Sequence, residues 1–289
     1  MSFGDLNRIN TNLQSLDAQF SLNKINRDLG QTQLRLSTGL RINRAEDDAA
    51  GFSIASKLGA RIAGLEQGLQ NTGDAKSVLD IAEASFDSII DILTEMKVKA
   101  TQAANDTLGT DERGFIQQQI DSLEGELDAL VDQTEFQGVS LLDGSYEASF
   151  QVGERTEDVI FVDIQNEDGP ADGFNAEGLG VVDLSVTEDG DEDTAHENAQ
   201  VAIASIDDAL TNVASAVNKL GINQTQLTIR EEILSQAINS NSAAQSRIQD
   251  ADFAAEQSEA IKLQILQQTA TSALAQANTA PQAVLGFLG

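Results

Sequence analysis

Between Ile62 and Ala103 the apolar residues recur at helical spacing. Ile62, Leu65 and Leu69 are followed by Leu79, Ala82, Phe86, Ile89, Leu93, Met96, Ala100 and Ala103, in steps of three and four. That period marks one face of an α-helix. A helix of about 45 residues is roughly 65 Å long at 1.5 Å per residue, too long for a compact domain and suited to a coiled-coil-like rod. The same period returns after Ala199 in Ile203, Ile206, Leu210, Val213, Val217 and Leu220, then Leu227, Leu234 and Ile238, which predicts an antiparallel return leg. Asn105 to Gly109 ends the first rod. Thr110 with Asp111 and Glu112 opens a further helix whose seam is Ile116, Ile120, Leu123, Leu127 and Leu130.

Each end of the chain carries its own stripe. Residues 5–36 place Ile9, Leu13, Leu16 and Phe20 at steps of four, three and four, continued more loosely by Ile25, Leu29 and Leu34. Near the other end Phe253, Ala260, Leu263, Leu266, Ala270, Ala273, Leu274 and Ala277 form a terminal seam, ending near Pro281 and followed by Val284, Leu285, Phe287 and Leu288. The N-terminal stripe is nearly neutral, with Arg8, Lys24, Arg27 and Arg35 against Asp5, Asp17 and Asp28, within a chain of net charge −30. A near-neutral striped helix suits burial against copies of itself. The rod seams are read as the subunit's own core, and the terminal stripes as surfaces between subunits.

Two polar joints separate these pieces. Leu34 to Leu58 contains Gly39, Gly51, Arg41, Arg44, Asp47 and Asp48 and reads as a bend between two rods. Ser246 to Asp252, with Arg247, Asp250 and Asp252, mirrors it. Residues 148–164 change period: Ala148, Phe150 and Val152, then Val159 and Phe161 (or Ile160 and Val162) and Ile164, flank a polar turn and predict a β-hairpin. Residues 165–197 hold eleven acids and no Lys or Arg, and are expected to form an exposed loop with a short strand near 180–186.

These stretches also carry a resemblance. Arg35–Ala55, RLSTGLRINRAEDDAAGFSIA, resembles the N-terminal signature of bacterial flagellins. Arg8-Ile-Asn-Thr-Asn, the turn TEFQGVSLLDG, Ser246–Asp252 and the run from Leu274 to Leu285 resemble further signatures of the same family, in the same order. The match covers about 1–150 and 195–289. The resemblance implies a mainly α fold: long antiparallel coiled-coil-like rods, a small β-hairpin region, and both termini paired in a terminal helical domain. It implies a terminal domain at 1–42 and 247–289, a rod domain at 43–164 and 195–246, and an acidic surface loop at 165–194 where many flagellins hold outer domains.

The implied function is a structural subunit that self-assembles into the flagellar filament for swimming. A hook–filament junction protein of the same flagellum is the alternative, and a non-flagellar coiled-coil adaptor is a further one. Implied partners are further copies of the chain, the flagellar export apparatus, a secretion chaperone on the C-terminal region, the filament cap and hook-junction proteins. The implied location is extracellular, reached without a cleaved signal. MSFGDLNRIN lacks the basic start and apolar core of a secretory signal and no run is apolar enough for a membrane span, which taken alone predicts a cytosolic chain; the resemblance implies export instead.

Composition narrows the chemistry. The chain has no Cys, so it has no disulfide, thiolate metal site or cysteine nucleophile. Its strong acidity disfavours nucleic acid and anionic membranes as partners. Aromatics at 4% are thin material for a thick globular core. His196 is the one histidine and is read as an exposed bystander in the acidic loop. Asp189, Asp191 and Asp193 have a calcium-loop spacing, but Thr194 and Gln200 stand where such a loop needs Gly and Glu. Gly178-Leu-Gly180 lacks the third Gly of a dinucleotide site, and no P-loop or nucleophile elbow occurs. Asn105-Asp-Thr107 and Asn223-Gln-Thr225 fit a glycosylation sequon, a pattern that also arises by chance. No enzyme chemistry and no cofactor or metal is expected. Against the family's pattern for an animal immune receptor, Glu95, Lys97, Val98 and Lys99 replace Arg, Arg, Glu and Leu, and Gln119 replaces a Glu. The resemblance then implies weak activation of that receptor.

Overall fold

The structure is a computed structural model that describes residues 11–166, 169–170, 173–187 and 192–285, with side chains up to Thr279 and, within the last stretch, from Ala195. The elements are α1 (Leu13–Thr38), α2 (Ala49–Ala103), α3 (Thr110–Gln133), β1 (Glu135–Phe136), β2 (Val139–Ser140), β3 (Glu147–Gln151), β4 (Val159–Asp163), α4 (Ala176–Leu179), α5 (Glu192–Gln249) and α6 (Phe253–Leu285). They fall into two compact units, 1–62 with 239–289 and 63–238, and both divisions lie inside helices, α2 and α5. The boundaries expected from the sequence, after 42 and before 247, fall in the turn between α1 and α2 and in the last turn of α5.

In the terminal unit α1 and α6 are antiparallel partners, and a backbone bridge joins Leu40 to Asp250 beyond their ends. The bend between α1 and α2 is much shorter than the expected joint. Gly39 takes the left-handed conformation, φ +72°, and its N–H closes α1 on the Arg35 carbonyl at 2.8 Å. Helix resumes at Ala49, because the Asp48 carboxylate accepts from the amides of Ala50 and Gly51 at 3.1 and 3.0 Å. Gly51 therefore lies in the first turns of α2 rather than in a bend. A side chain there would strike Asp48 and Ile42. At the other end α6 continues past Pro281 to Leu285.

In the second unit α2, α3 and α5 each give one apolar face to a common core. Leu79, Phe86, Ile89, Leu93 and Met96 meet Ile120 and Leu127, Ile206 and Leu227, all fully buried. Polar pairs line the flanks of α2 and α5: Lys76 to Glu231 at 3.0 Å, Lys97 to Asp207, and Gln224 donating to Glu83 at 2.7 Å. The expected hairpin is present. Its β3–β4 register pairs Phe150 with Ile160 and Ala148 with Val162. The buried set on β4 is Ile160 and Val162, with Val159 and Phe161 outward. Gln137 and Gly138, φ +53° and +81°, make the tight turn between β1 and β2.

The segment read as an exposed acidic loop is corrected by the structure. Phe174, Ala176, Leu179, Val181, Leu184 and Val186 are buried in the same core, while acids such as Glu177 and Asp183 face outward. No strand forms over 180–186; the short α4 stands before it, capped by Asn175 Oδ1, which accepts from the Gly178 amide at 2.8 Å. Buried Asn166 ties this segment down by donating to the Gly178 carbonyl at 2.6 Å. His196 is corrected as well. It lies half-buried on α5, not in a loop: Gln200 donates to Nε2 at 2.7 Å, and Nδ1–H therefore donates to the Ala104 carbonyl at 2.8 Å, past the end of α2.

Candidate assembly surface

The α1–α6 pair has one inner seam and two outer apolar faces. Inside, Ala18, Leu22, Ile25, Leu29, Thr32 and Leu36 of α1 recur at steps of three and four. They meet the α6 residues Ala260, Leu263, Gln267, Ala270, Leu274 and Ala277, spaced the same way. Leu29 and Leu263 retain only 8% and 6% of their surface. Polar side chains bracket the seam: Arg35 pairs with Glu256 at 3.3 Å, Gln267 donates to Asn26 at 2.8 Å, and Ser15 donates to Asn278 at 2.6 Å.

The stripe read from the sequence divides between these surfaces. Ile25 and Leu29 face α6, and Leu263, Ala270, Leu274 and Ala277 of α6 face α1. Leu13, Leu16 and Phe20 lie about half a turn around α1, on the side away from α6, and Phe20 is 67% exposed. Leu34, half-buried, falls on that same side. On α6, Phe253 and Leu266 are exposed. Ile261 and Ile265, which the sequence reading passed over, lie opposite the seam one turn apart, with Ile265 58% exposed. Their spacing of four was the available signal. It was hidden because Leu263 and Leu266 between them suggested a single seam. Ile9 and the side chains of Val284 and Leu285 lie outside the described residues.

The bend is held mainly by backbone. The Arg41 and Ile42 amides both donate to the Gln249 carbonyl, at 2.6 and 3.4 Å, and the Ala251 amide donates to Gly39 O at 2.9 Å. The Arg41 guanidinium donates to Ile248 O at 2.8 Å. One Asp47 oxygen accepts from the amides of Asn43 and Arg44 at 3.0 Å each, the other from Gln31 at 2.7 Å. These bonds hold its carboxyl below the usual carboxylate range. Asp252 caps α6 through the amides of Ala254 and Ala255. Asp250 contributes its backbone, Arg44 pairs with Glu46 at 3.1 Å, and Arg247 is exposed in the last turn of α5. The structure thus brings Arg41, Asp47, Asp48, Asp250 and Asp252 into one bend without using them as a charge cluster.

Of the positions compared with the receptor pattern, Glu95 and Gln119 are exposed, Lys99 is half-buried and Lys97 is engaged by Asp207. Among the described residues no group of three acids or histidines could hold a metal ion, and no helix is long and apolar enough to cross a membrane. The side chains of Asp189, Asp191 and Asp193 lie outside the described residues.

Residues 9–147 match the family described as the bacterial flagellin N-terminal helical region, and residues 203–288 match the bacterial flagellin C-terminal helical region. The chain is 35% identical over 282 residues to a flagellin of Halalkalibacterium halodurans, covering 97% of this chain and 99% of that one. It is 36% identical over 304 residues to a flagellin of Bacillus subtilis, with the same coverage. Among solved structures, one described as a flagellar hook-associated protein from Vibrio parahaemolyticus superposes with a TM-score of 0.61 at 15% identity, covering 71% of this chain and all of that one. That likeness concerns the fold alone.

Proposed function

The chain belongs to the bacterial flagellin family and is a structural subunit of the extracellular flagellar filament, and on that premise we propose that its paired terminal helices carry the contacts between subunits. One observation supports this above the others. The pair buries a single narrow seam and leaves Leu13, Leu16 and Phe20 on one outer side, with Ile261 and Ile265 on the other. A two-helix unit exposing apolar surface on both outer sides is poorly satisfied alone. Two different faces on one subunit also make a head-to-tail contact, which grows into an open helical filament when its rotation does not close.

Family membership supports the finer parts of the proposal. The chain leaves through the flagellum's own export apparatus without a cleaved signal peptide. A secretion chaperone holds its C-terminal region, and the filament cap and hook-junction proteins are its neighbours at the two filament ends. It works as structure and not as an enzyme. At Glu95, Lys97, Lys99 and Gln119 it departs from the pattern read by the animal receptor, so it activates that receptor weakly; a reporter-cell response equal to that of a pattern-matching flagellin contradicts this.

Seeded growth tests the assembly reading. Purified chain is added at neutral pH to short filament fragments and viewed by electron microscopy, beside a variant lacking residues 1–40 and 250–289. Long fibres from the full chain alone are expected. Equal growth from the truncated variant contradicts the assignment of the contacts to the terminal helices.

A further inference from the structure

In an α-helix each carbonyl accepts the amide four residues on. Pro281 has no amide hydrogen, so the carbonyl of Ala277 lacks its regular donor four residues on, although α6 continues to Leu285. That carbonyl accepts instead from Asn12 Nδ2, at 2.7 Å. The other end of the same side chain is also engaged: Asn12 Oδ1 accepts from the Ser15 amide at 3.1 Å and so caps α1. One amide side chain thus begins the first helix and fills the gap that proline leaves in the last.

At the bend the Leu40–Asp250 bridge and the amides on the Gln249 carbonyl tie one end of the α1–α6 pair, but the apolar seam by itself does not fix how the two helices align toward their far ends. Ala260, Leu263, Gln267, Ala270, Leu274 and Ala277 repeat in steps of three and four, so a slide of seven residues again lays small and apolar side chains against the α1 seam. Gln267 recurs as Leu274 under such a slide, which is a weak penalty. The bare carbonyl does not recur. Pro281 is the one proline in α6, and apart from its final turn the helix has no other carbonyl left open by covalent structure. A slide of one heptad leaves both the Asn12 amide and the Ala277 carbonyl without each other, separates Ser15 from Asn278, and breaks the Arg35–Glu256 and Gln267–Asn26 pairs.

We propose that Asn12 and Pro281 form a register key: the proline creates a single acceptor on α6, and Asn12 reads it, so that the terminal pair, tied at the bend, docks in one alignment at its far end as well. The key positions the outer faces that the assembly reading requires, and it rests on that reading. A one-heptad error displaces the α1 face from the α6 face by about 10 Å, which removes a common geometry from the subunits of a lattice.

The chain holds no cysteine, so introduced pairs report the alignment directly. Ser15→Cys with Asn278→Cys places two thiols where the side chains now touch; Ser15→Cys with Thr271→Cys places them one heptad out. Seeded filaments of both variants are oxidised, and intrachain cross-links are scored on denaturing gels. With Asn12 present, the 278 pair should dominate. With Asn12→Ala added, the ratio of the 278 to the 271 cross-link should fall roughly fivefold, the value of one net hydrogen bond. In parallel, Asn12→Ala should raise the critical concentration for seeded growth roughly three- to tenfold. In a Pro281→Ala chain, where residue 281 supplies the missing amide, the same substitution should cost clearly less, because only the α1 cap is then lost. An unchanged cross-link ratio, or an equal cost of Asn12→Ala in both backgrounds, overturns the key. Failure of the unsubstituted chain to extend seeds counts against the assembly reading instead.

Discussion

The ring of Phe174 stands edge-on to the ring of Phe86, with centroids 4.8 Å apart and planes at 84°. Both rings are fully buried. Phe86 belongs to the long seam of α2, and Phe174 to a stretch whose charge suggests a solvated loop. The contact makes that stretch part of the core that holds α2, α3 and α5 together. Removing the ring leaves a cavity between rigid helices. Phe174→Ala should lower the stability of the full chain by about 3–5 kcal/mol in denaturant unfolding. A loss under about 1 kcal/mol would mean that the segment is peripheral.

Charge explains why this was hard to read. Phe174, Ala176, Leu179, Val181, Leu184 and Val186 lie among acids at steps of two and three, which match neither a helix nor a strand for long. Their order comes from tertiary partners: Asp128 accepts the Ala176 amide at 2.8 Å, Gln117 accepts the Val186 amide at 2.7 Å, and Asn166 holds Gly178. None of these is adjacent in sequence. The α2 and α5 seams, by contrast, were legible because Leu79 to Ala103 and Ile206 to Leu227 repeat one period over many turns. The terminal stripe was legible as apolar but not as two-sided. Leu13, Leu16 and Phe20 keep helical spacing among themselves, and only the five-residue steps beyond Phe20 showed that Ile25 begins another face. The role of Asn12 was invisible for a different reason, since it depends on a proline at the opposite end of the chain.

Gly39 should resist substitution. Its φ of +72° ends α1, its amide closes the last turn, and its carbonyl receives Ala251. A Cβ there meets no neighbour, so the cost is conformational alone. Gly39→Ala should destabilise the terminal pair by about 1–2 kcal/mol, read as lowered filament melting temperature. An unchanged melting temperature contradicts the left-handed turn.

Acid should act on Asp47 and Glu124 in opposite senses. The Asp47 carboxyl is held below its usual range, first by the Arg44 amide and then by that of Asn43. Its contribution is therefore complete above the unfolded value near 4 and is lost as pH falls through the lower folded value. Asp47→Asn should flatten the fall in stability below pH 4. Glu124 is raised, first by burial and further by Asp183, Asp128 and Asp121, against the opposing Asp183 amide. Its charge costs stability once pH rises above the unfolded carboxylate value, so Glu124→Gln should be more stable than the parent at pH 7 and equal to it below about pH 4. Parallel pH profiles for parent and variants would contradict both assignments.

Subunit contacts through the outer faces predict a separation of effects. Ile265→Ser should leave the denaturant midpoint of the free subunit unchanged, because its side chain is already exposed. The same change should raise the critical concentration for seeded growth by roughly tenfold, the transfer of a buried isoleucine being worth about 1.5–3 kcal/mol. Equal assembly by Ile265→Ser and the parent would remove this face from the interface.

Subunit contacts through the terminal helices require that faces left open in the single chain be covered by neighbours in the filament, and hydroxyl-radical footprinting of intact filaments measures that coverage side chain by side chain. Phe20 and Ile265 in filaments should be as protected as Leu29 and Leu263, which the subunit buries by itself. Filaments in which Phe20 and Ile265 react as fast as in an unfolded peptide, while Leu29 and Leu263 are protected, would contradict it.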